Sequence, residues 1–90
     1  MPMAKTVRDI IGDPTTWSNY GEGGMGMPLL RGATIVGTRE SEPDELRVVI
    51  DARGRALHST FVIADRDIRQ RLIEILRPGL LLDECLSQPL

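Results

Sequence analysis

The segment Asn19 to Pro28, NYGEGGMGMP, holds glycines at 21, 23, 24 and 26 and spells G-x-G-x-x-G at Gly21, Gly23 and Gly26. Such spacing can cradle a phosphate when a strand precedes the first glycine and a helix opens at the last. The free amides at that helix's N-terminus then hold the anion. Neither neighbour is expected here. PTTWSNY precedes the glycines, and Pro28-Leu29-Leu30-Arg31-Gly32 follows without an opening helix. No Gly-Lys-Ser or Gly-Lys-Thr occurs either, so a Walker loop is ruled out. Two readings remain for the loop. One is a surface strap anchored by Trp17, Leu29 and Leu30. The other is a recognition loop in which glycines permit unusual backbone geometry and Trp17, Tyr20, Met25 and Met27 offer contact to a partner.

Proton-transfer and nucleophile chemistry have few other carriers. His58 is the only histidine and Cys85 the only cysteine. If His58 and Asp51 share a sheet face, the carboxylate could orient the imidazole as a base, which is the basis of a small-enzyme reading. Ser59 adjoins His58, but strand alternation sends it to the opposite face and spoils a local dyad. A surface or interface histidine is the plainer expectation. Cys85 lies between Glu84 and Leu86 and after Asp83, a neighbourhood that raises a thiol pKa, so it reads as a packed cysteine and not a nucleophile. One cysteine excludes an intramolecular disulfide and a thiolate zinc site, and one histidine cannot build a conventional zinc site alone. No cofactor, no metal and no catalytic residue is expected.

The arginines form a third constellation. Arg47, Arg53 and Arg55 cluster around one turn, while Arg66, Arg69, Arg71 and Arg77 follow on a helix. Converging, Arg47, Arg53, Arg55, Arg66 and Arg69 would grip a phosphate backbone or an acidic protein surface. Interleaved acids point instead to solvated ion pairs, such as Asp67 with Arg71 four residues on. The whole chain agrees with that restraint. Its ten arginines and one lysine face thirteen acids, for a formal charge of −2, and three aromatics are few for stacking on single strands. The imbalance is local: residues 1–45 hold four bases against seven acids, residues 46–77 seven against four.

Ninety residues make one small domain, 1–90, with a thin margin of stability. No signal segment or membrane-length apolar run is present, so a reducing cytoplasm is the expectation. KTVRDIIGDP predicts a short helix with a Thr6–Asp9 capping box and a Val7, Ile10, Ile11 stripe. Residues 14–31 follow neither helical nor strand period, a long irregular loop. Ala33 to Thr38 predicts a strand, and Arg39 to Glu45 a polar surface connection.

The hairpin LRVVIDARGRALHSTFVI comes next. With Arg53-Gly54 as a two-residue turn, Ala52 faces Arg55, Ile50 faces Leu57, Val48 faces Ser59, Val49 faces His58 and Leu46 faces Phe61, which keeps the apolar side chains on one side. Asp65 then caps a helix ending at Arg77-Pro78-Gly79. Ile68, Leu72, Ile75 and Leu76 are expected to be buried, and Arg66, Arg69, Gln70 and Glu74 to face water. The tail 80–90, LLLDECLSQPL, is a short helix or an extended arm whose leucines cover the core or meet another chain.

These elements predict an α+β domain. It is a three-stranded antiparallel meander with the C-terminal helix on one face and a short helix at the N-terminus. Apolar excess in the loop, the outer sheet positions Val49 and Val62, and tail residues Leu81 and Leu82 exceeds what so small a core readily hides. The leading functional expectation is a non-enzymatic protein-binding module of the regulator, adaptor or mobile-element inhibitor kind, homodimeric and without membrane contact. A nucleic-acid-associated regulator and a small enzyme using His58 stand behind it.

Overall fold

The computed structural model describes residues 5–12 and 32–90. Trp17, Tyr20, Met25, Met27 and the glycine-rich loop lie outside them. The elements run α1 (Val7–Ile11), β1 (Thr34–Ser41), β2 (Glu45–Ala52), β3 (Arg55–Val62), α2 (Arg66–Ile75) and α3 (Leu82–Leu86). The strands form one antiparallel sheet in the order β1-β2-β3, giving an α+β fold.

The β2–β3 hairpin keeps the register that apolar parity requires. Ala52 pairs with Arg55, Ile50 with Leu57, Val48 with Ser59, Val49 with His58 and Leu46 with Phe61. Its turn has positive φ at both Arg53 (54°) and Gly54 (86°), the backbone that matches the right-handed twist of the flanking strands. The Asp51 carboxylate holds the turn by accepting from the Gly54 amide at 2.8 Å.

β1 is longer than its β-branched core implied. The stretch Arg39–Ser41, expected in a loop, pairs with Arg47, Leu46 and Glu45, leaving only Glu42–Asp44 as the turn. Polar residues are tolerated there because the one aimed inward, Glu40, finds partners on α2 in Arg69 and Gln70. A bulge between Ile35 and Gly37 shifts the alternation. Ile35 and Thr38 thus share the inner face, and Val36 turns out to solvent.

The core is a single cluster. Leu46, Val48, Ile50 and Ala52 of β2, Leu57 of β3 and Ile35 of β1 are buried together with Val7, Ile11, Leu72, Leu76, Leu82, Cys85 and Leu86. Ile68 and Ile75 of α2 are half-buried against it. Burying one such side chain fully is worth about 1.5–3 kcal/mol before entropy is subtracted.

The tail closes on its own chain. The Gly79 amide donates to the Ile35 carbonyl, Ile35 to Leu80 and Leu82 to Ala33, all within 2.8–2.9 Å, so residues 79–82 run antiparallel along the outer edge of β1. Leu82 is therefore 1 % exposed and belongs to the core; it is not available as the partner contact expected from sequence, whereas Leu81 on the opposite side is 43 % exposed. Beyond α3, the Val7 amide donates to the Gln88 carbonyl and the Leu90 amide to the Lys5 carbonyl, pinning the last residues to the start of α1. A five-residue helix is too short to persist alone. Here it is held by that pairing and by Asp9, whose carboxylate accepts from the Thr6 amide (2.8 Å) and hydroxyl (3.2 Å). Among the described residues, no helix is long and apolar enough to cross a membrane.

Candidate functional site

The face of the sheet that does not enter the core can be read row by row from the register. Ser41, Glu45 and Val62 lie side by side across the three strands. The next row is Arg39, Arg47 and Thr60, followed by Val36–Gly37, Val49 and His58, and then Thr34, Asp51 and Ala56. Not one of these positions is buried. Val36 is 52 % exposed and Val62 74 % exposed, with Val49 half-buried between the strands. Sequence reasoning found Val49 and Val62 but missed Val36, because only the bulge places it on this face.

Arg39 and Arg47 stand directly opposite one another in this face, both exposed. Side chains so placed have Cβ atoms about 4.5–5.5 Å apart, and like charges there repel. Neither guanidinium has a hydrogen bond or ion pair with a described residue. The nearby carboxylates are otherwise engaged. Glu45 accepts from the Ser41 hydroxyl at 3.0 Å, and Asp51 serves the hairpin turn. Two shallow concavities adjoin the pair. One of about 230 Å³ is lined by Val36, Gly37, Thr38 and Val49 with both arginines. The other, of about 270 Å³, is lined by Ser41, Glu45 and Thr60 with the same two.

The arginines that would have to converge to grip a phosphate backbone or an acidic surface do not converge. Arg53 and Arg55 sit at the hairpin tip, while Arg66 opens α2 just beyond the far end of β3. Eight strand residues separate those ends by about 26 Å. Arg69, expected in water, is instead buried. Its Nε donates to Glu40 (3.3 Å), and its Nη1 donates to Asp44 (3.3 Å) and to the Ile63 carbonyl. Gln70 donates to the other Glu40 oxygen at 3.1 Å. The signal was in the helical period: at about 100° per residue, Arg69 falls only about 20° from Leu76 on the wheel, inside the buried stripe. Arg71 pairs with Glu74 at 3.4 Å on the surface, not with Asp67.

The remaining chemical candidates are scattered. His58 shares the outer face with Asp51, whose Oδ1 accepts from the Gly54 amide, and Ser59 points to the inner side opposite Val48. Cys85 is buried and its thiol donates to the Ile75 carbonyl at 3.5 Å. Burial first, and then the Glu84 charge, push its pKa up, against a smaller lowering by Arg77. A buried, neutral thiol is a poor nucleophile. Among the described residues, no three His, Cys, Asp or Glu side chains are grouped to hold a metal ion. The chain matches no protein-family profile, no curated protein and no solved structure at a significant level.

Proposed function

We propose that the protein is a non-enzymatic binding module that docks another protein on the open face of its sheet. The observation that carries this reading is the division of the sheet. One face supplies the core, while the other leaves Val36, Val49 and Val62 outside it, bordered by Arg39, Arg47 and Thr60. Val36 and Val49 adjoin and Val62 lies beyond the arginine row, and exposed apolar side chains set among polar groups are the usual composition of a contact surface.

The test is affinity capture from lysate of the source cell, with and without nuclease, using the wild-type chain and a Val36→Ser, Val62→Ser double variant. Both valines are exposed, so the fold should tolerate the change. A stoichiometric protein that survives nuclease and is lost by the variant supports the reading. Capture that is indifferent to the valines contradicts it. Capture that vanishes with nuclease transfers the function to nucleic acid.

A further inference from the structure

We propose that the Arg39–Arg47 pair on the open sheet face binds the carboxylates of an extended peptide segment of a partner protein, in which acidic and apolar residues are interleaved. This rests on the protein-docking reading above and specifies the chemistry of the partner. Three observations carry it.

First, the pair is a like-charge contact in which neither guanidinium has a hydrogen bond or ion pair with a described residue. Glu40, next in sequence to Arg39, turns to the inner face and is held by Arg69 and Gln70. Glu45 and Asp51, on the same face as the pair, accept from Ser41 and Gly54. Two guanidiniums in register, with no acidic partner among the described residues, retain their attraction for an incoming carboxylate, which arginine recognises through paired N–H donors.

Second, the surroundings are not those of a phosphate-backbone site. Val36 and Val49 line the concavity on one side of the pair, and Glu45 lines the concavity on the other. A ligand that sets its carboxylates over the arginine row and apolar side chains over Val36 and Val49, with no acid over Glu45, fits that order. A continuous polyanion would meet Glu45 and Asp51.

Third, the face has the length of one short extended segment. Three strands of eight residues present about 26 by 14 Å, on the order of 370 Å². A standard interface takes about 800 Å² from each partner. One extended segment of about eight residues runs the length of the face, whereas a second globular surface would overhang it.

A random dodecapeptide library selected on the full-length wild-type chain and on an Arg39→Gln, Arg47→Gln double variant tests the proposal. Wild type should enrich peptides with Asp or Glu interleaved with apolar residues. A synthetic representative should bind the variant about tenfold more weakly or worse. The variant should melt no lower than wild type, since a like-charge contact has been removed, and this separates lost binding from lost folding.

Enrichment without acidic residues, no enrichment at all, or equal affinity of the variant for the representative peptide would overturn the proposal. Binding of a twelve-nucleotide single strand or duplex in place of the peptides, with steep salt dependence, would overturn it in favour of a nucleic acid. The captured partner then separates the two claims. Loss with the valine variant but retention with the arginine variant refutes the peptide chemistry and leaves the docking face standing; retention with both refutes the two together.

Discussion

Arg69 carries its guanidinium from α2 into the angle between the β1–β2 turn and the end of β3, where Glu40, Asp44 and the Ile63 carbonyl meet it. Replacing it with methionine keeps the hydrophobic stem and removes the charge, leaving those acceptors without their donor. The Glu40 and Asp44 side chains are 42 % and 41 % exposed, so water can replace much of what is lost. We therefore expect Arg69→Met to lose about 1–3 kcal/mol in urea unfolding, and not the roughly 3–5 kcal/mol of a fully buried broken pair. A loss within error of zero would show that the network contributes no stability.

At the hairpin tip the sign reverses. Arg53 holds positive φ at a position where asparagine is far more at ease, so Arg53→Asn should gain about 0.5–1 kcal/mol by the same measurement. Cys85 gives the pH dependence. Its folded pKa is raised, so above the ordinary thiol value of about 8.5 the unfolded chain holds fewer protons than the folded one. Stability is then unaffected at neutral pH and falls as pH rises through the thiol range. Unfolding curves from pH 7 to 10 should show that fall in wild type, reduced in Cys85→Ala.

At the scale of elements, α2 and the tail are the most exposed to test. Asp65 caps α2 by accepting from the Asp67 (2.9 Å) and Ile68 (3.2 Å) amides, so Asp65→Ala should cost about 1 kcal/mol. Leu82 is in the core although it lies eight residues before Leu90, and Leu82→Ala should cost about 2–5 kcal/mol in thermal or urea unfolding. A peripheral arm would cost far less. The hairpin and the caps were legible in the sequence because they follow local rules, in turn length, parity and a side chain three residues from an amide. What was not legible depends on distant partners. Arg39–Ser41 pairs with β2, and its inward Glu40 is met by Arg69, 29 residues on. LLL is an edge cover because β1 leaves backbone groups at Ala33 and Ile35 for it. Val36 reaches the open face through a bulge that no periodicity announces. The site was legible to the same degree: Val49, Val62 and Arg47 follow from register, but Arg39 opposite Arg47 needed the extended β1.

For the molecule as a whole, the sheet is the dividing wall. Helices and tail share the core with its inner face, and the outer face carries apolar side chains beside two arginines that have no ion pair with a described residue. Its five valines record the division: Val7 and Val48 are buried in the core, and Val36, Val49 and Val62 lie on the open face. The most direct measurement is a valine-methyl NMR titration of the full chain with the partner recovered by nuclease-resistant capture. The methyls of Val36, Val49 and Val62 should shift or broaden, while those of Val7 and Val48 hold their positions. If the three outer valines stay unmoved at saturation, the partner docks elsewhere and the open face is not the binding surface.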